Sequence, residues 1–278
     1  MRTRLKAVTI AAALMALPNA AAAAAPPSGP LKSCPADAVV SGTVCMDKYE
    51  ASVWRVPNST TTNKGLVVKI QQGSATVGNL TAGGATELGI APVADYEPCA
   101  NNGENCVDDV YAVSLPGVTP STLITWFQAQ QACANARKRL PTNAEWQAAV
   151  AGSPDPGPDN GTTDCNTTFQ SGAEDPTPTG SRAGCVSARG AFDMVGNLQE
   201  WVADWLPRST SLSGAWGSVV SPTGDLQTVG GAATTGEPGA LLRGGSFLSQ
   251  ALAGPLAING YNVTPSTVGF GIGFRCTR

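Results

Sequence analysis

The sequence predicts an irregular, loop-rich fold, low in regular secondary structure and held by disulfides. Three observations predict it. The 278 residues include 32 glycines and 21 prolines, well above average usage, and both residues punctuate helices and strands. Only 13% of residues are charged, which argues against long solvated helices. The eight cysteines are even in number, as an exported, cross-linked chain requires.

Met1 to Ala25 read as a secretory signal peptide. Arg2, Arg4 and Lys6 precede an apolar run from Ala7 to Leu17, and an alanine-rich stretch offers cleavage sites. The run is shorter than the ~20 residues a membrane span needs. Removing the segment takes away three basic residues and no acid, so the formal charge moves from −3 to −6. A weakly acidic surface argues against nucleic acid or an anionic membrane as a partner. Residues 26–43 form a Pro-containing leader, and residues 44–278 form one large domain.

Within that domain, residues 57–108 are rich in Thr, Asn and Gly. They read as a long surface insertion with strand character at Leu66 to Ile70. Two helices follow. Thr125 caps the first with Gln128 three residues on, and Ala129, Ala132, Cys133 and Ala136 form one apolar stripe. Lys138 and Arg139 near its end suit the helix dipole. Thr142 and Glu145 repeat the capping box, Trp146, Ala149 and Val150 make a buried face, and Gly152 and Pro154 stop the second helix. The two tryptophans Trp201 and Trp205 read as core. Arg139, Glu145, Arg243 and Arg275 read as members of buried ion pairs, since charges inside such a domain persist only when paired.

The residue inventory also excludes chemistry. The chain has no histidine and no C-x-x-C pair, which argues against a zinc cluster. The missing histidines remove His-based triads, His-ligated iron or copper, and His general bases.

Four stretches carry a family signal when taken together: MDKYEAS at 46–52, RLPTNAEWQAAVAG at 139–152, DMVGNLQEWVADW at 193–205, and LLRGGSF with GFGIGFRC toward the end. In this order they closely resemble the formylglycine-generating enzyme, or sulfatase-modifying factor, family. The resemblance implies an α+β fold related to the C-type lectin fold. It implies structural Ca²⁺ at Asp193 and Glu200 with the carbonyls of Gly196 and Leu198, a hard-oxygen shell of the kind calcium takes. It also implies a second calcium site starting at Asn166 and Thr167 and continuing to Glu174 or Asp175. A bridge from Cys133 to Cys276 follows from the lectin-like fold. Proximity pairs Cys165 with Cys185, Cys99 with Cys106, and Cys34 with Cys45.

The same resemblance exposes a gap. Catalytic relatives bind copper through two cysteines placed after the RGGS turn, and thiolate is the right ligand for Cu(I). Here those positions are Ser249 and Gly254, so no copper is expected. The expected function is a secreted or periplasmic binding or structural module, a pseudoenzyme whose partner is a protein, peptide or small molecule. The alternative is a cysteine-independent oxidoreductase of the same family. An iron-dependent sulfoxide synthase, which carries this domain, would need the absent histidines.

Overall fold

A computed structural model describes residues 31, 33–90, 92–107, 109–155, 159–168, 175–206, 217–220, 226–229, 238–260 and 263–278. The expected signal peptide and Glu174 lie outside these residues. Among the described residues no helix is long and apolar enough to cross a membrane.

The chain opens with a hairpin of β1 (Ala38–Ser41) and β2 (Val44–Asp47). Next, β3 (Ala51–Arg55) forms the centre of an antiparallel sheet, flanked by β4 (Thr86–Leu88) and β5 (Val110–Ser114). Helices α1 (Lys64–Gln71) and α2 (Val77–Ala82) lie between β3 and β4 in sequence. Helices α3 (Trp126–Asn135) and α4 (Asn143–Ala149) follow β5. The strands β6 (Gln199–Leu206), β7 (Gly217–Val220), β8 (Leu226–Val229), β9 (Gly239–Arg243), β10 (Ile258–Asn259) and β11 (Ile272–Phe274) make the largest sheet, in the order β11-β6-β9-β10-β8-β7. Most pairings are antiparallel, while β11 with β6 and β10 with β8 are parallel. Helices and strands are segregated, not alternating, which is the α+β class.

Both expected capping boxes form. Thr125 Oγ1 accepts the Gln128 N–H at 3.2 Å, and Gln128 Oε1 accepts the Thr125 N–H at 3.0 Å. Thr142 and Glu145 exchange bonds of 3.2 and 2.8 Å. The α3 stripe packs Ala129, Ala132 and Cys133 against Ala51, Val53, Trp201 and Phe274. Trp146 of α4 is fully buried among Met194, Val195, Val202 and Leu241; truncating it to Ala would cost about 3–5 kcal/mol.

All four disulfides pair as expected: Cys34–Cys45, Cys99–Cys106, Cys133–Cys276 and Cys165–Cys185.

Other expectations are corrected. Residues 64–71 are the helix α1, not a strand. The β-branched Val67 and Val68 suggested a strand, but Leu66 and Ile70, one helical turn apart, bury against the core with Trp54 and Val56. Burial on one face of a helix outweighs local preference. The 57–108 segment therefore contributes to the body: β4 completes a sheet, and Leu66, Ile70, Leu80 and Leu88 are buried. Trp201 is core, but Trp205 is 41% exposed and meets Trp126 and Phe127 edge-on. Between the two tryptophans the β6–β9 register shifts, so four residues of β6 span two of β9. A bulge re-aims the side chains beyond it. Arg139 and Glu145 do pair at 2.6 Å, yet the Arg139 side chain is 43% exposed. Lys138 does not cap a helix end; it is buried between Asp37, at 2.9 Å, and Asp47, at 2.7 Å.

Candidate functional site

The four family-like stretches meet at one buried node. Arg275, entirely inaccessible, donates from Nε to both Glu200 oxygens at 2.9 and 2.8 Å and from a terminal nitrogen to Oε1 at 2.6 Å. Trp146 Nε1 donates to Glu200 Oε2 at 2.7 Å. The same guanidinium reaches the carbonyls of Asp47, at 3.1 Å, and Phe192, at 2.8 Å. Arg243 stacks over the Trp146 ring at 4.6 Å, as a guanidinium does on an aromatic face, and donates to the Ala257 carbonyl at 2.7 Å and to Gln147. Separate sequence motifs are thus one structural unit.

Beside that node the 193–198 turn is built on positive φ at Asp193, Gly196 and Asn197. Asn197 is its hub. Its Oδ1 accepts from Asn166 Nδ2 at 3.0 Å and from the Thr177 N–H at 2.8 Å, and its Nδ2 donates to Glu50. Glu50 also accepts the Leu198 N–H at 2.9 Å. Burial pushes the Glu50 carboxyl well above its ordinary value, and the charges of Asp193 and Glu200 push it the same way. Burial likewise raises Asp193 to about 6, although the Gly180 N–H, at 2.6 Å, opposes this. From the sequence Asn197 reads only as a turn residue beside Gly196, and Glu50 carries no local signal. Their signal is long-range, because 147 residues separate the two partners.

At the expected calcium positions the side-chain oxygens are already engaged within the protein: Asp193 accepts the Gly180 N–H and Glu200 accepts from Arg275 and Trp146. Three N–H donors point at the Glu200 carboxylate: Arg275 Nε, shared between both oxygens, a terminal Arg275 nitrogen on Oε1 and Trp146 Nε1 on Oε2. At the second position, the Asn166 and Thr167 carbonyls accept N–H groups from Asn197, at 2.7 Å, and Gln250, at 2.6 Å. They brace the turn against the loop that follows β9. Asp175 is exposed.

That loop runs from Arg243 to Ala257 and holds its shape through its own backbone. Gly244 and Gly245 have φ of 86° and 78°, values that side-chain-bearing residues avoid. A Cβ on Gly244 would lie 2.6 Å from the Met194 carbonyl, and one on Gly245 would lie 2.6 Å from Ala253. The Ser246 N–H donates to Ser249 Oγ at 2.9 Å, the Ser249 N–H donates back to the Ser246 carbonyl at 2.9 Å, and the Gly254 N–H donates to the Gly244 carbonyl at 3.0 Å. The two positions where thiols would bind copper are therefore a turn-closing hydroxyl and a bare backbone. All eight cysteines are in disulfides, so no thiolate exists to hold Cu(I). The residues present do not fit copper.

The loop walls a cleft of about 340 Å³, opposite Gly271 and Ile272. Its polar groups are Gln199, Ser246, Ser249 and Asn259, all uncharged; Leu242, Leu248, Leu252 and Ile258 supply apolar surface. Leu248 and Leu252 are 52% and 41% exposed at its rim. The cleft offers hydrogen bonds and apolar contact, and among the described residues no ionisable side chain lines it.

Residues 92–278 match the family described as "Sulfatase-modifying factor enzyme 1-like domain". No curated protein matches the chain. Among solved structures it is similar to the Major Tropism Determinant P3c Variant, at 19% identity and a TM-score of 0.44, over 88% of this chain and 54% of that one. It is similar to CarF at 19% identity and a TM-score of 0.37, over 58% of this chain and 68% of that one. It is also similar to Treponema denticola variable protein 1 at 17% identity and a TM-score of 0.33, over 58% and 71%. The chain spans about half the length of the first of these, 54%.

Proposed function

The chain belongs to the sulfatase-modifying factor enzyme 1-like domain family, and from that premise we propose that it is an exported binding module and not a formylglycine-forming enzyme. The four disulfides and the signal-like opening of the sequence support export. The observation that carries the reading is the cleft beneath the Arg243–Ala257 loop. Its frame is braced by hydrogen bonds, and among the described residues no thiolate, acid, base or imidazole lines its wall. General acid–base or nucleophilic chemistry needs at least one such group within reach. Recognition does not: a concave, mainly apolar surface with a few fixed polar groups is what a ligand site requires. The ligand is an uncharged molecule or protein segment presenting an apolar face to Leu248 and Leu252.

The neutral apolar dye N-phenyl-1-naphthylamine probes this directly. The wild type is expected to bind it, with Leu252→Asp weakening binding about tenfold or more by placing a charge against the apolar ligand. Equal binding by the variant, at an unchanged melting temperature, would remove the cleft from the account. In the same reading Arg275, and not calcium, balances Glu200. Chelator is therefore expected to leave the melting temperature unchanged, and a clear drop on adding EDTA would show a structural cation in the fold.

A further inference from the structure

We propose a second binding site, for a small monoanionic carboxylate with an apolar body, in the cleft between the β2–β3 corner and the α1–α2 connection. Its volume is about 450 Å³, and nine of its twelve lining residues lie between 36 and 77. They precede the family-matched region, 92–278. Lys48 and Tyr49 belong to the MDKYEAS stretch, so the site joins one family-like motif to the α1–α2 connection.

Its charge balance selects the ligand. Asp37 lines the cleft, but its carboxylate is held by Lys138 at 2.9 Å and by Arg278 at 2.8 and 3.1 Å. Lys138 also pairs with Asp47. Two acids and two bases thus close a neutral internal network. Lys48, which also lines the cleft, has no carboxylate partner among the described residues. Among the described residues one positive charge in the cleft remains without a carboxylate, on a chain whose formal charge is −3. A monoanion matches it; a neutral ligand would leave it unused.

The lysine is placed and not loose. Its N–H donates to the Asp37 carbonyl at 2.9 Å, and its carbonyl accepts the Phe192 N–H at 2.9 Å. Its ammonium lies 5.6 Å from the Tyr49 ring centre and 5.7 Å from that of Phe192, and the two rings stack at 5.4 Å. The wall behind is rigid as well. Ser114 Oγ accepts the Tyr49 N–H at 3.0 Å and donates to the Asp37 carbonyl at 2.9 Å. Ala36, Ala75, Val77, Leu115 and Pro116 supply apolar surface. A cavity of this size takes a ligand of roughly ten heavy atoms, and an aryl or short acyl carboxylate meets every term.

Benzoate is the probe, with benzamide as its uncharged analogue, read by titration calorimetry and saturation-transfer NMR on the full disulfide-bonded chain. Benzoate is expected to bind, and benzamide to bind at least about tenfold more weakly, since a charge-assisted contact is worth more than a neutral one. Lys48→Met is expected to reduce benzoate affinity by a similar factor without changing the melting temperature, and Lys48→Arg to retain it. No benzoate binding, equal binding of benzamide, or wild-type affinity in Lys48→Met would each overturn the proposal.

Discussion

The two clefts are of similar size, about 340 and 450 Å³, and opposite in chemistry. One lies in the family-matched region, under a loop stapled by its own backbone, and among the described residues no ionisable side chain lines it. The other lies mostly ahead of that region and holds a lysine that pairs with no carboxylate among the described residues. Their difference shows that a family frame fixes where a concavity stands and leaves open what it recognises. The RGGS turn is retained because Gly244 and Gly245 hold a shape that other residues cannot. The groups that would react are a separate layer, and at the two expected thiol positions this chain carries Ser249 and Gly254.

The comparison breaks first if the frame itself is cut. The Cys133–Cys276 bridge closes a separation of 143 residues and ties α3 to the end of the chain. In the chain-entropy model such a loop is worth about 5 kcal/mol. Replacing both cysteines with alanine is expected to lower stability by most of that amount, and denaturant titration measures it. Both clefts should lose binding in parallel with folding.

Arg275 sharpens the contrast, because it links the two halves. It neutralises Glu200 on β6 and donates to the carbonyls of Asp47, next to Lys48 in sequence, and of Phe192, whose N–H bonds the Lys48 carbonyl. Arg275→Met leaves Glu200 buried without its counter-charge, which should cost about 3–5 kcal/mol. The double variant Glu200→Gln with Arg275→Met is expected to recover part of this, and a double-mutant cycle isolates the coupling. Failure of the double variant to recover any stability would mean that packing, and not charge, is what Arg275 supplies.

Gly244→Ala acts on one cleft alone. The new Cβ meets the Met194 carbonyl at a backbone φ of 86°, and the strain should cost about 1–3 kcal/mol. Dye binding under the Arg243–Ala257 loop is expected to fall, while benzoate binding near Lys48 stays as it was. Loss of both at a temperature where the variant remains folded would show that the sites are coupled.

Local signals were legible in the sequence. The capping boxes at Thr125 and Thr142 need only neighbours three residues away, and both form. The cysteine pairings and the family stretches were legible as well. What escaped was decided by distant partners. Lys138 finds Asp37 and Asp47 at separations of 101 and 91 residues. The helix at 64–71 depends on a buried face that only the tertiary core creates. Trp205 reads like Trp201 until a bulge in the β6–β9 pairing turns it outward. At the expected calcium turn the acids were visible, but not that Arg275 would occupy Glu200.

The central claim is that the loop after β9 keeps the family's frame without its reaction. The most direct measurement incubates the purified, disulfide-intact chain with Cu(I) and a sulfatase-motif peptide and follows the peptide by mass spectrometry. The account predicts no aldehyde product above a control with metal alone, because Ser249 and Gly254 offer no thiolates and every cysteine is bridged. Peptide converted to formylglycine above that control would contradict it.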